Sequence, residues 1–211
     1  MKEKTLEFKE ESSEVSESQY WTGKFFLKKE HGFLARIPDS YINDSFNLVG
    51  LNKKISNIET CYNAILDNTT SKDILEESAL YYLIHQRYIF TTTGLEDILE
   101  KVLNKDYGSC SRVGCSTPLI PIGGSNEPKV SSTKVYCFNC VCIYLPKGPI
   151  KGLDGCAWGK YFPHFLLITY PYKFKKKKLQ EYVPKIYGFR IYEIEEEEEN
   201  ESIDEDSMCA E

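Results

Sequence analysis

Four cysteines constrain this chain most: Cys110 and Cys115 in Cys-Ser-Arg-Val-Gly-Cys, then Cys137 and Cys140 in Tyr-Cys-Phe-Asn-Cys. Two close pairs separated by 21 residues (116–136) are what a tetrahedral zinc site needs. Each pair sits on a tight turn and supplies two thiolates, and the segment between them folds back to join them. A closed set of four thiolates leaves no position for a substrate, so the predicted Zn²⁺ is structural, one per chain. The charge left over, about −2, needs offsetting by turn N–H groups and by cations, for which Arg112 and Lys134 are candidates. Cys142 lies two residues beyond Cys140 and would point the same way on a strand, but a knuckle needs the 137/140 pair. Cys61, Cys156 and Cys209 are isolated and read as core or surface thiols. His164, in Phe-Pro-His-Phe, reads as a buried, ordinarily hydrogen-bonded histidine rather than a substitute ligand.

Metal rather than disulfide fits the rest of the chain. The N-terminal Met-Lys-Glu-Lys-Thr-Leu-Glu-Phe-Lys has no apolar signal region, and the longest apolar run, Ala79–Ile84, is too short to span a bilayer. The expectation is a cytoplasmic and nuclear protein with reduced thiols and no membrane partner. The net charge of −6 hides an asymmetry: Glu193–Glu211 carries eleven acids and no base. Without that tail, 21 acids face 26 bases, about +5. A run such as Glu195–Glu199 repels itself and is expected to stay solvated.

The texture of the sequence predicts an α+β architecture. Residues 1–18 form a polar, Glu/Ser-rich arm. Residues 19–104 read as an all-helical domain. Its pattern suggests a short helix capped by Asp39 and ended by Gly50, and a second over Ile55–Leu66 with Ile58, Tyr62, Ile65 and Leu66 on one face. A long helix from about Lys72 to Phe90 follows, capped by Thr70 or Ser71, with Leu75, Ala79, Leu80, Leu83 and Ile84 inward. His85 should pack against the metal-bearing part or a neighbouring helix. Thr93-Gly-Leu-Glu96 reads as a capping box, with Ile98, Leu99, Val102 and Leu103 inward. Residues 105–170, rich in proline, glycine and short β-prone runs (Lys134-Val-Tyr-Cys, Cys142-Ile-Tyr-Leu, Phe165-Leu-Leu-Ile-Thr-Tyr), read as a zinc ribbon. Residues 171–192 hold the basic run Lys173–Lys178 and an aromatic, strand-like segment, and 193–211 the acidic tail.

No residue set for chemistry stands out. The three histidines are scattered, and there is no G-x-S-x-G, no H-E-x-x-H and no kinase signature. Gly123-Gly124-Ser125 lacks the lysine of a phosphate loop. The lysine run reads first as a solvated loop or a partner for the acidic tail. A zinc-ribbon nucleic-acid-binding protein is the second reading, disfavoured by the acidic tail and the C-terminal aromatics.

The cysteine frame, Phe46-Asn-Leu-Val-Gly-Leu, Leu83-Ile-His-Gln-Arg-Tyr-Ile89, Phe162-Pro-His and Val183-Pro-Lys-Ile-Tyr-Gly-Phe-Arg-Ile191 together resemble the regulatory beta subunits of casein kinase II, over about 12–191. The resemblance implies a non-enzymatic subunit: a helical domain, a zinc ribbon that dimerises, and an extended C-terminal segment that docks on the kinase catalytic subunit. It implies a homodimer carrying two catalytic subunits in a heterotetramer, and modulation of which protein substrates are phosphorylated. The family's two aromatic anchors fall on Tyr187 and Phe189, within a docking stretch that takes in Ile186, Gly188 and Ile191. Family autophosphorylation serines point to Ser12, Ser13 and Ser16, although none has an acid three residues on; Ser202, followed by Asp204 and Glu205, has the better acidic context. The family's long acidic loop, to which the resemblance links polyamine sensing, shrinks here to Asp67–Asp73, which leaves that property open.

Overall fold

The computed structural model describes residues 20–179 and 182–191. Among them, the helices of the N-terminal part are α1 Trp21–Phe26, α2 Asp39–Ile42, α3 Ile58–Ile65, α4 Ile74–Tyr88 and α5 Thr92–Leu103. Strands β1 Ile120–Ile122, β2 Lys134–Cys137 and β3 Cys142–Tyr144 form one antiparallel sheet in that order. Helix α6, Phe162–Thr169, follows. A second unit, Gln180–Glu211, carries β4 Lys185–Ile186 and β5 Phe189–Arg190. No helix among the described residues is long and apolar enough to cross a membrane.

Helix starts differ from the expected ones for identifiable reasons. Asp73, not Thr70 or Ser71, caps α4, accepting from the N–H groups of Leu75 (3.0 Å) and Glu76 (3.1 Å). Ser71 is taken elsewhere: its hydroxyl donates to Glu77 (2.6 Å). Glu77 is buried and also accepts from Trp21 Nε1 and the backbone of Lys72 and Asp73. Burial opposes its ionisation, but these donated bonds hold its carboxyl below the usual range. The late start leaves Leu75 in the first turn, 68% exposed, while Ala79, Leu80, Leu83 and Ile84 are buried. In α5 the cap is Thr91, accepting from Gly94 N (3.2 Å), so no Thr93 capping box forms. A Cβ at Gly94 would collide with the Tyr88 carbonyl, which lets α5 start tight against the end of α4. Leu95 is buried in place of the exposed Leu103.

Two further corrections concern short elements. Asp39 is the first residue of α2 rather than its cap, and α2 ends at Ile42; Gly50 (φ +80°) instead lies between two 3₁₀ turns, Ser45–Leu48 and Leu51–Lys53. The β-prone run at 165–170 is helical. Pro163 sits in the first turn of α6, where a missing N–H costs nothing, and Phe162 and Leu166, one turn apart, are both fully buried.

One apolar core runs from Trp21 through Phe174 and joins the helices to the sheet. Its centre is Trp158, fully buried, edge-on to His85 (5.2 Å) and Tyr107 (5.6 Å). Trp158 Nε1 donates to Thr133 Oγ1 (3.1 Å) beside β2. His85 is fully buried in α4. The N–H of Ala35 donates to its Nε2 (3.0 Å), so Nδ1 carries the proton and donates to the Ala157 carbonyl (2.9 Å). Gln86 Nε2 donates to the Cys156 carbonyl (2.7 Å) one residue earlier. His31, also buried, lies against the Phe25 carbonyl and Tyr82 OH.

Burial pushes the His85 imidazole down from 6.5 to about 4. The unfolded chain therefore binds a proton at His85 between those values that the folded chain refuses. This stabilisation is complete above about pH 6.5 and lost as pH falls toward 4, amounting to on the order of 3 kcal/mol. Urea unfolding across that window should show the loss. A His85→Leu variant should lack that part of the pH dependence and be weaker at pH 7, because Ala35 N–H and Ala157 C=O lose their partner.

Candidate functional site

The first cysteine pair lies on a loop pinned by backbone bonds. Cys110 N–H donates to the Thr117 carbonyl (2.8 Å) and Cys115 N–H to the Arg112 carbonyl (2.9 Å), with Gly114 at φ +77° completing the turn. The second pair is a knuckle between β2 and β3. Cys137 ends β2, and Cys140 N–H points at Cys137 Sγ (3.4 Å). Closing the knuckle forces Val141, a β-branched residue, to φ +56°.

All four sulfurs lie within 4.8 Å of one another; Cys110–Cys140 are 3.7 Å and Cys115–Cys137 3.8 Å apart. An ion bonded tetrahedrally to sulfurs at about 2.3 Å separates them by about 3.8 Å, so the set fits a zinc-sized ion. Cys110, Cys115 and Cys137 are buried and Cys140 half-buried. As plain thiols they split apart in acidity. Burial pushes Cys137 up to about 12. Burial also opposes ionisation of Cys115, but hydrogen bonds with the side chain and backbone of Thr117 and with Cys140 and Cys110 outweigh it and bring that thiol down to about 6.

The residues around the sulfurs are only partly those expected. The Lys134 ammonium reaches Ser132 (3.5 Å), and Arg112 contributes its carbonyl. The groups that touch the sulfurs are Thr117 Oγ1 (3.2 Å from Cys115 Sγ) and Asn139 Nδ2 (3.8 Å from the same atom). Tyr144 hydrogen-bonds Cys110, which raises its own pKa. Asn139, inside the C-x-x-C, and Thr117, two residues past Cys115, are recognisable by position alone. His164 is exposed on α6 rather than buried, and outside the cluster. Cys61 and Cys156 are buried core thiols; Cys142 is exposed, directly opposite Cys137 in the β2–β3 register.

The lysine run is anchored rather than loose. Phe174 is buried edge-on against Phe138 (5.2 Å), and Lys177 N–H donates to Asn139 Oδ1 (2.7 Å). Asn139 thus ties a cysteine sulfur to the run, while the side chains of Lys173 and 175–178 stay exposed.

In the second unit, Ile186, Tyr187, Gly188, Phe189 and Ile191 fold as a hairpin rather than a single extended strand. Tyr187 and Gly188 both have positive φ (51° and 87°), the signature of a two-residue type I′ turn. Lys185 pairs with Arg190 and Ile186 with Phe189, and Ile191 N–H donates to the Pro184 carbonyl (3.3 Å). Ile186 and Phe189 therefore share a face, and Tyr187 stands at the tip. The tip is apolar and open: Tyr187 is 96% exposed and Phe189 79%. Ser12, Ser13, Ser16, Ser202 and the acidic tail lie outside the described residues.

The sequence model for the casein kinase II regulatory subunit matches residues 20–190. This chain belongs to that family. It is 39% identical over 202 residues to the casein kinase II subunit beta of Dictyostelium discoideum, covering 90% of this chain and 75% of the relative. It is 37% identical over 190 residues to the subunit beta of Schizosaccharomyces pombe (85% and 82%) and 35% over 188 residues to the subunit beta' of Drosophila melanogaster (84% and 86%). The family consists of non-catalytic regulatory subunits, so the absence of a catalytic set from the sequence and the closed sulfur cluster have one explanation. The Asp67–Asp73 segment here serves the fold: Asp67 accepts from Trp21 N–H (2.8 Å) and Asp73 caps α4.

Left-handed backbone at a β-branched residue costs on the order of 1 kcal/mol. Val141 is exposed and buries little, so Val141→Gly should be tolerated and raise stability slightly in thermal unfolding, by less than about 1 kcal/mol because glycine's freer unfolded chain offsets part of the relieved strain, with metal content unchanged.

Proposed function

We propose that this chain is the regulatory subunit of a casein kinase II-type serine/threonine kinase. It holds one structural Zn²⁺ on Cys110, Cys115, Cys137 and Cys140, pairs with a second copy through the metal-bearing region, and carries a catalytic subunit on its C-terminal hairpin. In that assembly it stabilises the kinase and alters the choice of protein substrate, in cytoplasm and nucleus.

The observation that carries this reading is the hairpin. Ile186, Tyr187, Phe189 and Ile191 are all exposed on a two-residue turn whose flanking strands pair Lys185 with Arg190 and Ile186 with Phe189. Rigid aromatic anchors of this kind carry most of an interface's energy. The same logic supports pairing: Val113, Val141, Ile143 and Leu145, around the two cysteine turns, are exposed apolar residues that burial would favour. When bound, the ion would supply a cross-link between the 110–115 loop and the 137–140 knuckle. With four sulfur ligands it has no open position for a substrate.

Tyr187→Ala combined with Phe189→Ala removes two anchors worth on the order of 2 kcal/mol each, roughly a thousandfold in affinity. Co-elution with a casein kinase II catalytic subunit should be lost while zinc content is kept. Undiminished co-elution would refute the hairpin as the docking element. Salt-sensitive retention on DNA or RNA, with no kinase bound, would favour the nucleic-acid alternative.

A further inference from the structure

Cys142 has no part in the four-sulfur cluster, yet the fold places it against one. It stands directly opposite Cys137 across the β2–β3 ladder. Facing residues in an antiparallel pair have Cα atoms about 4.5–5.5 Å apart, inside the roughly 4.4–6.8 Å window that a disulfide spans. The Cys142 thiol donates to the Cys140 carbonyl (3.2 Å), so it lies over the knuckle. It is exposed, whereas Cys110, Cys115 and Cys137 are buried. Alternation along β3 turns Ile143 to the face opposite Cys142.

We propose that Cys142 is an oxidation site that ejects the metal: a hydroperoxide oxidises it, and the product captures Cys137 as a disulfide. The inference rests on the reading that the four sulfurs hold zinc. In the first step the Cys142 thiolate attacks one peroxide oxygen and the O–O bond breaks. Sulfur gives up two electrons, becoming sulfenic acid, and the other oxygen leaves as water or alcohol. In the second, the Cys137 sulfur leaves the metal and attacks the Cys142 sulfur. The S–S bond forms, the S–O bond breaks, and the hydroxide takes a proton and departs as water.

Selectivity follows from access. Zinc-bound sulfurs share their charge with the ion, and the other free thiols described, Cys61 and Cys156, are buried, with burial pushing both up in pKa. Three remaining thiolates cannot close a tetrahedral site.

The test uses the full-length zinc-loaded protein treated with hydrogen peroxide. Zinc release is followed with a chromogenic chelator, and disulfides are mapped by mass spectrometry of unreduced peptides. One zinc per chain should leave together with a Cys137–Cys142 cross-link, and thiol reductant plus zinc should reverse both. Cys142→Ser should slow release roughly tenfold or more, while Cys61→Ser changes nothing. Equal release from Cys142→Ser, or a disulfide joining two other cysteines with Cys142 free, overturns the proposal and leaves the zinc reading intact. Protein that carries no zinc at the outset overturns both.

Discussion

Four sulfurs held within 4.8 Å of one another cannot all carry charge unless a cation sits among them. That constraint organises the metal-bearing region. The loop at 110–115 and the knuckle at 137–140 flank a sheet of only three short strands. A zinc ion held there would convert that repulsion into four bonds and tie the 110–115 loop to the 137–140 knuckle. Ligation of Cys140 would also hold the adjacent Val141 in its left-handed backbone.

The centre is not an isolated staple. β2, which ends at Cys137, runs from beside Thr133, whose hydroxyl receives the Trp158 N–H. Trp158 meets His85, and His85 is held on both nitrogens, by Ala35 in the helical part and by Ala157 next to Trp158. A buried, doubly satisfied histidine is costly to disturb from either side. The helices and the sheet therefore share one packed interior, and a regulatory subunit built this way offers a stiff platform rather than two jointed halves.

What the sequence made legible was local. Cysteine spacing and the helix-then-sheet order were readable from residue patterns along the chain, and the stretches around Phe46, His85 and Phe162 carried the family resemblance rather than their own local structure. Helix caps were not, because tertiary partners decide which hydroxyl is free: Ser71 serves Glu77, and Gly94 fixes Thr91 in place of Thr93. The 165–170 run has β-prone composition, yet Pro163 and the shared burial of Phe162 and Leu166 make it a helix. In the hairpin, Tyr-Gly is a weaker type I′ signal than Asn-Gly, so a tight turn at Gly188 was one option beside an extended chain. Thr117 lies two residues from the sulfur it touches, whereas Tyr144 meets Cys110 only because the fold brings β3 against the first cysteine loop.

The central claim is that the sulfur cluster is a zinc centre on which two copies of the chain assemble. Native mass spectrometry of the purified full-length protein tests it most directly. A two-chain particle carrying two zinc ions, dissociating to monomers as a chelator removes the metal, is the expected result. A metal-free monomer, or a dimer that survives complete removal of zinc, would contradict it.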